Sequence, residues 1–148
     1  SAMVEPLGVV AIVAPAALPL LGSVALLLPA IAMGNTVVLV PSEPHPLSIT
    51  DLYQVLDTSD VPGGVVNIVT GDKRVLAIEL ARHDAVDAVW AFGPAELARD
   101  VELASAGNLK QTWTETVVRD WSDSATAAGR EVLARATQVK NIWIPYGE

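Results

Sequence analysis

Residues of a type that does chemistry are few in this chain, and their spacing withholds most of it. Cysteine is absent. That excludes a thiol nucleophile, a thiolate-held metal and a disulfide framework, and it fits a cytoplasmic location. His45 and His83 are the only histidines. Glu79 stands four residues before His83, a spacing that reads as an exposed pair on a polar helix face rather than as a metal site. No serine sits in a Gly-x-Ser-x-Gly elbow, and no Gly-x-Gly-x-x-Gly or Walker sequence occurs. Asp57 with Asp60, and Asp84 with Asp87, read as solvated loop ends beside helices.

The most telling position is apolar. A Gly34-Asn35 turn leads into the apolar and β-branched run 36–40, and a Pro41-Ser42-Glu43 loop follows. This is how a buried parallel strand reads when it delivers a loop to the carboxyl edge of a sheet, where open α/β folds place their ligands. The residue delivered there is Val40, whose side chain neither donates nor accepts a hydrogen bond.

The elements that must position these residues alternate. Apolar runs at 7–14, 36–40, 65–69, 86–91 and 110–114 read as strands. Helices are expected over 19–33, started by Pro19, over 46–57 with Leu47, Leu52 and Leu56 apolar, over 73–82 with Leu76, Ile78 and Leu80 apolar, and over 95–105. Strands alternating with helices of this length favour a parallel sheet with right-handed crossovers. The rhythm then changes: 119–124 is a polar break, 125–136 reads as a helix, and 139–144 alternates like an edge strand before Pro145 stops it.

Composition bounds the partners. A chain of 148 residues, 51% of them hydrophobic, suits one domain with a sizeable core. Its formal net charge is −8 and no basic cluster occurs, which argues against nucleic acid and anionic membrane surfaces. No charged residue lies between Glu5 and Glu43, but Pro15, Pro19 and Pro29 interrupt that stretch, and its longest helical piece falls short of the roughly 20 apolar residues a bilayer crossing needs. The start lacks the basic region of a signal peptide.

Several segments in order resemble the nucleotide-binding domain of the aldehyde dehydrogenase superfamily. They are Glu5-Pro6-Leu7-Gly8-Val9-Val10, Pro15 with Pro19-Leu20, Pro29-Ala30, Gly34-Asn35-Thr36-Val37-Val38-Leu39, Pro41-Ser42-Glu43, and Pro62-Gly63-Gly64 through Thr70-Gly71. Phe92-Gly93, Asn108-Leu109-Lys110 and Gln138-Val139-Lys140-Asn141-Ile142-Trp143-Ile144 extend the likeness over nearly the whole chain. The resemblance implies an α/β fold: a Rossmann-like parallel sheet flanked by helices, with a C-terminal β extension. It divides the chain into a degenerate NAD-binding domain over 4–120 and a helix with an oligomerisation-type strand over 125–148. Residues 1–3 look like a cloning remnant, and the chain like a piece of a longer protein.

Position by position, the resemblance implies lost chemistry. Ala17 stands where the family has an oxyanion-holding asparagine, and has no donor. Val40 replaces the lysine that hydrogen-bonds the adenosine ribose, while Glu43 keeps the family's glutamate. At the phosphate-cradling turn, Gly93 is followed by Pro94, which removes an N–H and reads as a helix-initiating proline; Glu96 sets a negative charge where an anion would dock, and Ala98 adds a methyl group. Glu115 matches the family's general base, but it has no cysteine to activate and is followed by Val117-Val118 in place of paired glycines. Val40, Glu43, Gly93 and Pro94 are thus vestigial cofactor positions; no catalytic residue, metal or bound cofactor is expected in this domain, and NAD belongs to a catalytic copy in the parent.

Among the tryptophans, Trp90 and Trp113 lie in expected strands and read as core. Trp121 and Trp143 fall in the break and the last strand, where aromatic residues serve as core or as interface anchors. The missing cysteine, Val40, the run Ala104-Ser105-Ala106-Gly107-Asn108-Leu109-Lys110 and the short path to a Trp-containing terminal strand resemble the truncated, noncatalytic C-terminal region of family-sixteen aldehyde dehydrogenases. That implies a pseudoenzyme, a structural and interaction domain of a larger NAD-dependent aldehyde dehydrogenase. Its partner is the catalytic domain of the same or a neighbouring chain, in a homo-oligomer, with Val139, Ile142, Trp143 and Ile144 at the interface. A degenerate, regulatory nucleotide-binding domain with an altered ligand is the alternative.

Overall fold

A computed structural model describes residues 1–42, 47–127 and 129–147. Five parallel strands form its centre: β2 (Val9–Val13), β3 (Thr36–Val40), β4 (Val66–Ile68), β5 (Ala88–Phe92) and β6 (Gln111–Glu115), in the spatial order β4-β3-β2-β5-β6. From β2 the chain builds outward to β3 and β4, then crosses to the other side for β5 and β6. The helices are α1 (Pro19–Ala32), α2 (Leu47–Asp57), α3 (Lys73–Arg82) and α4 (Ala95–Ser105). This is the expected Rossmann-like α/β fold.

Strand side chains alternate between two apolar layers. Val10, Ile12, Ala88, Trp90 and Phe92 face the layer of α1 and α2, with Trp113 and Trp121. Ala11, Val13, Val89 and Ala91 face Ala77 and Ala81 of α3 and Leu97 and Val101 of α4. The three tryptophans are within 4% of full burial, and Phe92 packs edge to face between Trp113 and Trp121 at 5.1 and 5.6 Å. Trp121 is therefore core.

Two expected apolar stripes differ from the observed ones. Leu47 is exposed and α2 seats Ile49 instead, with Leu52 and Leu56 partly buried. On α3 the buried residues are Ala77 and Ala81, because small side chains let the helix lie close to the sheet while its longer ones spread to the rim.

Asn35 joins the parts. It is 2% exposed, and its Oδ1 accepts from the Leu7 and Gly8 amides at 2.8 and 3.0 Å. Its Nδ2 donates to the carbonyls of Ala30 and Ala136 at 2.9 and 2.8 Å. One side chain thus links the entry to β2, the end of α1 and the C-terminal segment.

That segment differs from the expected single helix. Gly129, with φ 136°, separates α5 (Ser124–Ala127) from α6 (Arg130–Arg135), a conformation that side-chain-bearing residues rarely adopt. The last strand, β7, is Thr137–Asn141 rather than 139–144. It pairs antiparallel with β1 (Ala2–Pro6), with Ala2 opposite Asn141 and Pro6 opposite Thr137, and Ser1 exchanges backbone hydrogen bonds with Ile142. The two form a ribbon apart from the five-stranded sheet. Among the described residues no helix is long and apolar enough to cross a membrane.

Candidate functional site

Four strands deliver their following loops to one edge: β2 gives Ala14 to Ala17, β3 gives Pro41 and Ser42, β5 gives Gly93 and Pro94, and β6 leads to Thr116 through Arg119. Two concavities open there. One of about 310 Å³ is lined by Ala17, Gly93, Glu115, Val117, Arg119 and Trp121, among others. The other, of about 390 Å³, is bounded by Ala16, Ser42, Asp72, Lys73, Arg74 and Glu96.

In the first, Glu115 closes β6 and is not a plain strand-end carboxylate. Arg119 Nε and Nη2 donate to its two oxygens, and the same Nη2 donates to both Glu131 oxygens at 3.1 and 3.0 Å. The Arg119 side chain is only 15% exposed; its guanidinium lies 5.3 Å from the Trp113 ring centre and 5.9 Å from that of Trp121. Hydrogen bonding to Glu115, reinforced by its charge and by Glu131, raises the Arg119 pKa above its ordinary value. Trp113 Nε1 donates to Glu115 as well, at 3.3 Å.

Val40 is fully buried, opposite Val13 in the sheet, and its carbonyl accepts from the Ala14 amide at 2.9 Å. Glu43, and His45 beside it, lie outside the described residues. Gly93 donates its N–H to the Glu115 carbonyl at 3.0 Å. Pro94 is the residue before α4 rather than its first helical residue, and Glu96 is in the first turn. Ala17 lines the first concavity without a polar atom on its side chain. His83 ends α3, where its Nδ1 accepts from the Ala85 amide at 3.1 Å. Among the described residues no group of three or more His, Asp or Glu is placed to hold a metal.

Lys73, which the sequence reading treats only as the start of a helix, stands at this edge. Its Nζ donates to the carbonyls of Ala14 and Phe92, 2.7 Å from each. These carbonyls follow β2 and end β5, the adjacent strands from which the chain departs in opposite directions. Ser42 Oγ, on a residue 1% exposed, has no hydrogen-bond partner among the described residues. The four residues named for the interface lie elsewhere: Val139 is in β7 and 63% exposed, Ile142 is partly buried, and Trp143 and Ile144, past the strand, are 90% and 72% exposed.

The family model described as "Aldehyde dehydrogenase family" matches residues 1–121. The chain belongs to the aldehyde dehydrogenase family. It is 38% identical over 139 residues to the NADP/NAD-dependent aldehyde dehydrogenase PuuC of Escherichia coli (strain K12), covering 84% of this chain and 28% of that protein. The betaine aldehyde dehydrogenase of Bacillus subtilis (strain 168) is 36% identical over 107 residues, covering 72% of this chain and 22% of that protein. Among solved structures, apo indole-3-acetaldehyde dehydrogenase superposes with a TM-score of 0.75 at 34% identity, covering 78% of this chain and 27% of that one. The chain spans about a quarter of the length of the curated relatives it matches.

Proposed function

We propose that this chain is a noncatalytic structural and interaction domain of a larger NAD-dependent aldehyde dehydrogenase, a pseudoenzyme of the family-sixteen type. One observation carries the reading: Glu115, at the family's base position, is engaged by Arg119, which also binds Glu131, in a chain without a cysteine to activate. Acyl transfer through a thiol has no nucleophile here.

NAD does not fit the residues at this edge. Val40 is apolar and sealed in the sheet, Pro94 offers no N–H, Glu96 repels phosphate, and Lys73 occupies the strand ends. Each lost charge-assisted hydrogen bond costs roughly 1.5–3 kcal/mol, so NAD is assigned to the parent's catalytic copy. Calorimetric titration of this chain with micromolar NAD is expected to give no saturable heat. A second reading, a degenerate nucleotide domain with an altered ligand, is favoured by Ser42 Oγ, which has no hydrogen-bond partner among the described residues, at the 390 Å³ crevice; saturation in that titration would select it.

The partner in this reading is the catalytic domain of the same or a neighbouring chain, in a cytoplasmic homo-oligomer. Among the described residues the β1–β7 ribbon has two strands, an arrangement marginal in water unless something packs on it. Met3, Val4, Val139, Trp143 and Ile144 are all more than half exposed on or next to it. A third strand supplied by a partner would satisfy the open edge and cover these side chains. Truncation of the parent after Ala136 leaves an Ala136 oxygen, now of the terminal carboxylate, for Asn35 Nδ2 to donate to, and removes β7. Sedimentation is expected to show weakened assembly with the domain still cooperatively folded, and unchanged assembly would refute the interface.

A further inference from the structure

We propose that the ends of β2 and β5 form a primary-ammonium site, which this chain fills from within by Lys73. This deepens the noncatalytic reading, on which it rests, by naming what fills the place of a ligand. In a sheet ordered β4-β3-β2-β5-β6, the crevice beyond the carboxyl ends of β2 and β5 is where chain departures diverge and where ligands of such folds bind. The amino ends of α3 and α4 flank it and favour an anion by their dipoles. A cation stands there instead.

Two features hold it. Asp72 Oδ1 accepts from the Val75 amide at 2.9 Å, fixing the start of α3 so that Lys73, its first residue, reaches across the crevice. The Ala14 and Phe92 carbonyls both accept from Nζ at 2.7 Å, and charge-assisted bonds of this kind offset the unfavourable helix dipoles. A Cβ at Gly93 would lie 2.8 Å from Leu97 Cδ2 but at an ordinary contact distance, 3.5 Å, from Nζ, so the glycine serves the packing of α4. Among the described residues, the other charged residues bounding the crevice are Asp72, Glu96 and Arg74, and Arg74 is committed to Asp100 at 2.6 Å. Take the lysine away and, among the described residues, two carbonyl acceptors remain in a crevice bounded by two carboxylates. Such a place selects a primary ammonium group and rejects phosphate.

The test is chemical rescue in the full chain. Lys73→Ala is expected to melt below the unaltered protein, and n-butylammonium chloride to restore its melting temperature saturably. Tetramethylammonium chloride, which has no N–H, is expected to do nothing at equal concentration, and NAD likewise. Equal responses to the two ammonium ions, or stabilisation of the variant by NAD beyond that by the amine, would overturn the proposal. Should the variant fail to fold, timed acylation of the unaltered chain with acetic anhydride decides: Lys73 is expected to react about tenfold more slowly than Lys140 because its amine is held by two hydrogen bonds, Lys140 being 62% exposed. Equal rates overturn the assignment. Loss of amine selectivity leaves the noncatalytic reading standing, whereas aldehyde turnover by the chain would end that reading without touching Lys73.

Discussion

Asn35→Ala is expected to be the most damaging small change in this fold. The side chain makes four buried or part-buried hydrogen bonds, to the Leu7 and Gly8 amides and to the Ala30 and Ala136 carbonyls. Ala30 keeps a partner, because the Asn35 amide also donates to its carbonyl, at 3.2 Å. The variant therefore strands three groups, the two amides and the Ala136 carbonyl. At about 1–1.5 kcal/mol for each unsatisfied group, the loss is about 3–4.5 kcal/mol. For a chain of this size, where 1 kcal/mol moves the midpoint by about 2–4 °C, melting should fall by about 10 °C. Asn35→Asp provides a control of the same shape: it keeps the acceptor for Leu7 and Gly8 but sets a carboxylate against two carbonyls, and should cost at least as much. The assay is thermal denaturation followed by tryptophan fluorescence, with hydrogen exchange at 130–141 reporting whether the C-terminal segment loosens first. A loss of less than about 1 kcal/mol for Asn35→Ala would refute the argument that this side chain joins the segment to the core.

Other outcomes follow from the same contacts. Arg119→Met removes the cation shared by Glu115 and Glu131; a partly buried pair broken on one side should cost about 2 kcal/mol in urea denaturation, and no change would mean that the cluster is solvent-screened. Burial lowers the Lys110 pKa from 10.5, so just below that value the unfolded chain binds more protons than the folded one and stability rises with pH; Lys110→Met should flatten that rise in urea midpoints taken across the window, and an unchanged slope would contradict it. Trp143→Ala in the parent should weaken assembly by about 2 kcal/mol or more if this exposed ring is an interface anchor, as sedimentation would reveal, and should leave the melting of the isolated domain unchanged.

Much of the fold was legible because its signals are local. The limits 73–82 and 95–105 agree with α3 and α4, where Asp72 caps one helix and Pro94 precedes the other. Strand limits moved by a residue or two where pairing decides them: the run 86–91 contributes Ala88–Phe92, because Val86 donates to His83 in a turn and pairing with β2 begins at Ala88. The C-terminal strand could not be placed from its own alternation, since its register is set by Ala2–Pro6 at the far end of the chain. The same holds for the site. Val40, Gly93 and Glu115 were visible as strand ends, but Glu131 reaches Arg119 from a separate helix, and Lys73 meets two strand ends distant in sequence. Such meetings arise from topology, which residue spacing does not record.

The central claim, that this chain carries no aldehyde chemistry, is met most directly by following NADH at 340 nm with the purified chain, NAD and an aldehyde, alongside its Ala17→Asn, Val40→Lys double variant. Both proteins are expected to match the no-protein blank, because restored ligands cannot supply the missing thiol; sustained NADH formation by either one would contradict the account.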